Sequence, residues 1–211
     1  MGLISNGTTV FDAGSMASGF GGSMTHIKTI TISSPTDNVQ FVHGSSGVVL
    51  DSTYKEYIFY LFDMHHNSSS EPDILFNFSI DGGSNYNVAK TSTSYRAYHG
   101  ENDSGGAHGY YAPTDGAQKT GPLPLSFNAD GDNDSSMVAY LHLFNPSSTT
   151  FVKHFIGHAE EVHDLPRTNS NYFAGYCNTT SAINAVLFDG QHAEGENNNI
   201  DSGKIILFGI N

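Results

Sequence analysis

Short runs of alternating apolar and polar residues, cut by polar turns, fill most of this chain. Ser136 to Phe144 (SMVAYLHLF) alternates cleanly, and the turn Asn145-Pro146-Ser147-Ser148 follows at once. Thr150 to Ile156, Asn171 to Cys177, Ala182 to Phe188 and Lys204 to Ile210 continue the pattern. Earlier runs are Thr25 to Ile32, Val39 to Val42, Glu56 to Phe62, Ile74 to Ile80, Tyr86 to Lys90 and Tyr95 to Tyr98. Successive side chains of a strand point to opposite faces, so this period, with Asn, Gly, Ser and Pro at its breaks, predicts antiparallel strands. No segment carries a helical period. The expected fold is all-β, an antiparallel β-sandwich of jelly-roll type.

Individual runs refine that expectation. In Glu56 to Phe62 (EYIFYLF) nearly every residue is large and apolar. Such a strand is buried on both faces and central in its sheet. Ile74, Phe76, Phe78 and Ile80 alternate with Leu75, Asn77 and Ser79, which predicts one core face. Asp81-Gly82-Gly83-Ser84 reads as a turn. The predicted core includes Ile58, Tyr60, Phe76, Phe78, Leu141, Leu143, Phe155, Ile183, Leu187 and Ile206. Three stretches read as long loops: His99 to Ser126, Asn128 to Ser135 and His158 to Ser170.

Residues 1–24 stand apart from the single domain expected over residues 25–211. They carry Gly2, Gly7, Gly14, Gly19, Gly21 and Gly22 around isolated apolar residues. Glycine at this density disfavours a helix. The expectation is an extended docking arm whose anchors are Phe11, Met16 and Phe20.

Composition narrows the classes of function. Charged residues make up only 14% of the chain, below the roughly one-quarter usual for soluble domains. Twenty-one acidic residues face eight basic ones, giving a formal net charge of -13. Phosphate backbones and anionic lipid surfaces are repelled by such a chain, so neither nucleic acid nor membrane is expected as a partner. Cys177 is the single cysteine, which rules out an internal disulfide and reads as a buried structural thiol. The opening residues lack the basic start and apolar stretch of a secretory signal, so synthesis without a signal peptide is expected.

Candidate chemistry is sparse. Asp130, Asp132 and Asp134 alternate as calcium ligands do at the start of a binding loop, but Ser135 and Leu141 stand where that motif wants Gly and Glu. The alternative is an Asp-rich turn, and no cofactor is called for beyond this calcium candidate. His154, His158 and His163 lie near Glu160, Glu161 and Asp164, yet zinc needs three or four convergent donors and strand geometry does not gather these. No G-x-S-x-G is present, so no catalytic residue is assigned. The chain has no Trp. Tyr98, Tyr110 and Tyr111, with Tyr95 and Tyr172, are the rings available to stack on a sugar.

The segments MGLISNGTTVFDAGSM, GFGGSMTHIK, STYKEYIF, SIDGGSNY, LHLFNPSSTTFVKHF, FAGYCNTTSAI and KIILFGI resemble virion structural proteins of tailed bacteriophages that infect marine bacteria and cyanobacteria. The resemblance spans nearly the whole chain. It implies a non-enzymatic protein made in the host cytoplasm and carried on the virion surface, as capsid decoration or as a tail fibre or appendage module. It implies no catalytic or metal residue. The expected partners are other virion proteins through the arm, and copies of the chain itself, with a homotrimer favoured by fold analogy. The runner-up is a host-polysaccharide-binding module using Tyr98, Tyr110 and Tyr111. Third is a metal-assisted glycan depolymerase relying on His154.

Overall fold

The computed structural model describes residues 3–12, 15–16, 23–66, 73–191 and 199–211. Every strand pair in it is antiparallel. Among the described residues the only helical element is one 3-10 turn, Ala112–Thr114. The all-β expectation therefore stands.

At the start, β1 (Leu3–Ser5), β2 (Thr8–Asp12) and β3 (Ser15–Met16) form a small sheet of their own. Asn6 and Gly7 both take positive φ between β1 and β2. An Asn-Gly pair in that conformation is the favoured two-residue hairpin turn. Phe11 and Met16 stand opposite each other in the β2–β3 register. Phe20 lies outside the described residues.

Two larger sheets follow. The wide one has nine strands. Eight run β10 (Gly116–Lys119), β8 (Lys90–Gly100), β14 (Arg167–Cys177), β13 (Lys153–His163), β12 (Met137–Phe144), β6 (Glu56–His66), β16 (Ile200–Ile210) and β4 (Met24–Ile32), and β9 (Gly106–Tyr110) also pairs with β8. The narrow sheet runs β11 (Leu123–Pro124), β7 (Asp73–Ser79), β15 (Ala185–Gln191) and β5 (Asn38–Val42).

The sheets pack face to face over one apolar core. Phe41 and Phe188 of the narrow sheet meet Phe59 of the wide one edge-on. Phe76 stacks on Phe173 and meets Phe155 edge-on. Such pairs bury large rings and add about 0.5–1.5 kcal/mol each beyond their area. β6 lies between β12 and β16, the central place its sequence predicts.

Seven of the ten predicted core residues are buried: Ile58, Phe76, Phe78, Leu141, Leu143, Phe155 and Ile183. Tyr60, Leu187 and Ile206 are only partly buried. Apolar residues occupy consecutive positions in VLF and IILF, so alternation does not select a face there. Val186 and Phe188 are buried rather than Leu187, and Ile205 and Leu207 rather than Ile206. Ile58 shares the parity of Tyr60 and stands opposite His142 and Phe208 on the outer face.

Other expectations are corrected. β7 is buried at every position from Asp73 to Ser79, not on one face, while Ile80 is exposed. Asn77 is covered because its amide donates to the Tyr86 and Thr120 carbonyls and accepts from Lys90. No strand spans Tyr86 to Lys90, and β8 starts at Lys90. His99 to Ser126 is not one loop, since it holds β9, β10 and β11. The expected loop His158 to Ser170 is the end of β13, a tight turn and the start of β14. Cys177 is a buried free thiol, as expected, and burial pushes its pKa up to about 12.

Two phenylalanines lie across glycines on the neighbouring strand: Phe155 opposite Gly175, and Phe173 opposite Gly157. A Cβ on Gly175 would stand 2.5 Å from the Thr91 carbonyl oxygen and 2.6 Å from the tip of Phe155. The first contact is backbone and cannot swing away. Gly175→Ala is expected to destabilise the fold by about 1–3 kcal/mol, read as a lower urea midpoint with unchanged slope. An unchanged midpoint would mean that β8 and β14 are less closely packed than this.

Candidate functional site

The inward face of β13, β14 and β8 changes character along its length. Near the middle of the sandwich it carries Phe155, Ala159 and Phe173, all buried. Further along, the same parity places Glu161 and His163 on β13, Asn171 and Asn169 on β14, and Ser94, Arg96 and Tyr98 on β8. Cross-strand register joins them in rows. Ala159, Asn171, Arg96 and Gly109 form one, and Glu161, Asn169, Tyr98 and Ala107 the next.

The segment that follows β9 closes over this polar end. Ser94 Oγ donates to the Tyr111 carbonyl at 2.7 Å and is 2.6 Å from Thr114 Oγ1. Asn171 Nδ2 donates to the Leu125 carbonyl at 3.0 Å. These bonds hold Tyr111 and Phe127 above Arg96. The Arg96 guanidinium carbon is 3.7 Å from the Tyr111 ring centroid, 5.3 Å from Tyr98 and 5.9 Å from Phe127. Arg167 lies 4.7 Å from the Tyr98 ring. A guanidinium held over ring faces in this way makes cation–π contacts. Arg96, Tyr98, Ala107, His108, Gly109, Tyr110 and Tyr111 line a cavity of about 200 Å³.

Beneath it sits a fully buried carboxyl. Both Glu161 oxygens accept from the Phe127 amide, and Asn169 Nδ2 contacts Glu161 Oε1. Burial raises the Glu161 pKa well above its ordinary value, against the lowering effect of these bonds. Asn169 Oδ1 is buried with no partner. Turning the Asn169 amide over would let a protonated Glu161 donate to that oxygen, and such amide orientations follow the hydrogen-bond network. His163 is held below its ordinary pKa by burial and then by Arg167. A guanidinium only donates, so His163 Nε2 accepts from Arg167 at 2.5 Å, and Nδ1–H faces the Asp164 carboxylate.

Tyr98, Tyr110 and Tyr111 all line this cavity, but Tyr110 stands opposite outward-facing Tyr95, so only Tyr98 and Tyr111 bring their rings to Arg96. Arg96, Arg167 and Phe127 were missed by the sequence reading. One signal was available: these are the only two arginines in the chain, and Arg96 lies in Tyr95-Arg96-Ala97-Tyr98. The acidic turn behaves differently. Asp130 Oδ1 accepts from the Asp132 amide, and Oδ2 from Ser135 Oγ. Asp134 lines a separate depression with Asp63, His65 and Asp201. Among the described residues no group of three or more His, Cys, Asp or Glu side chains is placed to hold a metal ion. His154 and His158 share the outer face, and His163 points inward, so the three do not converge. His154 faces Tyr176 at 6.3 Å between ring centroids.

The outer face of the wide sheet carries an aromatic ladder. Its rungs are His26, Phe208, Tyr60, Tyr140, His158, Tyr172 and Tyr95, one on each of seven adjacent strands. Tyr172 stacks on His158 at 4.0 Å and on Tyr95 at 4.9 Å. Comparison with protein-family models, curated proteins and solved structures found no match to the chain.

The buried acid gives the protein a defined pH response. A carboxyl whose pKa is raised by folding contributes stability below its unfolded pKa, and this is lost as pH rises through the folded value. Buried His66, lowered to about 4, acts oppositely: its contribution is present above the ordinary His pKa and is lost as pH falls toward about 4. Glu161→Gln keeps the neutral shape and removes only the first effect. Urea midpoints are expected to favour the Gln variant increasingly as pH rises from 5 to 8. A constant difference over that range would show that Glu161 does not titrate on unfolding.

Proposed function

We propose that the chain is a non-enzymatic structural module of a tailed-phage particle, displayed on the exterior as capsid decoration or as a tail appendage. The supporting observation is the strand order. With β4, β5, β6, β7, β11, β12, β15 and β16 numbered one to eight, the wide sheet contains 1-8-3-6 and the narrow sheet is 2-7-4-5. That alternation supports a jelly-roll winding, an architecture found in viral shells and in lectins. The remaining strands, β13, β14, β8, β9 and β10, extend the wide sheet beyond β12. The step from architecture to a place on a virion is an analogy, joined to the resemblance of the sequence segments.

In this reading residues 1–24 form the docking arm, with Phe11, Met16 and Phe20 contacting other virion proteins. Deleting residues 1–22 is expected to abolish incorporation into particles and to leave a folded domain. Unchanged incorporation would remove the arm from the proposal. Copies of the chain associate as a homotrimer. The outer face of the wide sheet offers exposed Phe62, Val138, Ile156 and Val162 beside the aromatic ladder, and apolar surface of this kind marks interfaces. With a net charge of -13 opposing self-contact, the oligomer should gain from salt. Sedimentation at low and at marine ionic strength checks this, and a monomer in both would contradict it.

Host-polysaccharide recognition is the second reading, and one observation favours it. The cavity beside β9 brings the rings of Tyr98 and Tyr111 to a guanidinium, while the neighbouring buried acid is sealed by its own hydrogen bonds. Such a lining suits binding a sugar. A glycan array with the whole chain, followed by adsorption to host cells, tests it.

A further inference from the structure

We infer that the cavity beside β9 binds an acidic sugar, a pyranose carrying a carboxylate, with Arg96 as the residue that takes the carboxylate. This rests on the polysaccharide-recognition reading and adds the class of ligand.

Charge is the first argument. The chain has eight basic residues against 21 acidic ones, and its only two arginines meet at Tyr98. Lys90 and Lys153 are spent inside the core. The five ion pairs among the described residues all involve a histidine, and neither arginine takes part. Ring faces therefore surround Arg96 without cancelling its charge. Glu161, in the neighbouring inward row, is buried and turns both oxygens to the Phe127 amide rather than to Arg96. Two further acids lie at this end: Asp73 is buried and accepts from the Asn128 amide, and Asp164 faces His163. A guanidinium stays charged at any working pH, and its planar fork matches a carboxylate in two parallel hydrogen bonds. On a surface that otherwise repels anions, this is a local exception.

Shape is the second argument. Gly109 stands opposite Arg96 in register, and nothing lies within 4 Å of the place a Cβ would occupy there. The opening is thus beside the guanidinium. Tyr98 and Tyr111, which share the inward side with Arg96, bring their rings to the same cavity. The C–H face of a pyranose packs against these inward rings while its carboxylate reaches Arg96. A cavity of about 200 Å³ is smaller than the roughly 300–1,000 Å³ of drug-sized sites, so it suits one sugar residue. An inorganic anion would use Arg96 and leave the rings idle. A neutral sugar would use the rings and leave Arg96 unpaired.

The test is isothermal titration of the whole chain with tetragalacturonate and tetraglucuronate, and with the carboxyl-reduced form of each. At least one acidic tetramer should bind, more weakly at marine than at low salt, and its reduced form about tenfold or more weakly, the loss of a charge-assisted contact. Arg96→Gln should cause a similar loss. Gly109→Val puts a branched side chain into the opening, where its Cβ meets nothing within 4 Å, so it should block binding while urea titration still shows a cooperatively folded chain. Equal binding of acidic and reduced forms, or full binding by both variants, would overturn the acidic-sugar inference and leave polysaccharide recognition standing. Silence toward all four sugars overturns the inference as well, and a neutral glycan-array hit then preserves the parent reading.

Discussion

Phe76 touches both Phe155 and Phe173 across the sandwich, with ring centroids 5.4 Å apart in each case. This contact ties the narrow sheet to β13 and β14, the strands that extend the wide sheet beyond β12. It is possible because Gly157 and Gly175 leave room for the rings on the neighbouring strand. Without it the extension would be an unpacked flap with exposed backbone edges, a poor platform for any site. The rings also mark where the apolar interior stops. Four strands do not cover nine, so the inward face further out is closed by the segment from Tyr111 to Phe127 and by polar side chains.

That mismatch explains the chemistry of the far end. A buried polar group must find hydrogen-bond partners or lose its charge. Ser94, Thr114 and Asn171 take the first course and lock the covering segment in place. Glu161 accepts from the Phe127 amide and from Asn169, yet burial still raises its pKa well above the ordinary value. Arg96 stays charged and is stabilised by ring faces, which accept a cation without neutralising it. The result is a cationic, aromatic cavity on an acidic protein, built on paired strands with one wall from a covering loop.

Two large groups of rings stand out. One fills the core between the sheets. Another runs as a ladder over the outer face, where half-exposed rings from successive strands stack on one another. Cross-strand aromatic pairs stabilise a sheet wherever they occur, so the ladder helps to hold nine strands in register while leaving its edges open to contact.

Much of the fold was legible in the sequence. Period-two runs identified the all-β class, the central place of EYIFYLF, and most of the core, because alternation and burial are local properties of a strand. Alternation failed where both faces are apolar, as in IILF and VLF, since neighbours across the sandwich decide which face turns inward. It also failed over His158 to Ser170, where the buried face is polar and Glu161, His163 and Asn169 read as a solvated loop. Tyr98, Tyr110 and Tyr111 were legible as available rings. The meeting of Tyr98 with both Arg96 and Arg167 was not, because it depends on β14 pairing with β8 across some seventy residues of chain. Sequence alone determined strands, turns and the scarcity of positive charge. Only the tertiary structure decided where that charge gathers, because register and sheet overlap are set by contacts between residues far apart in the chain.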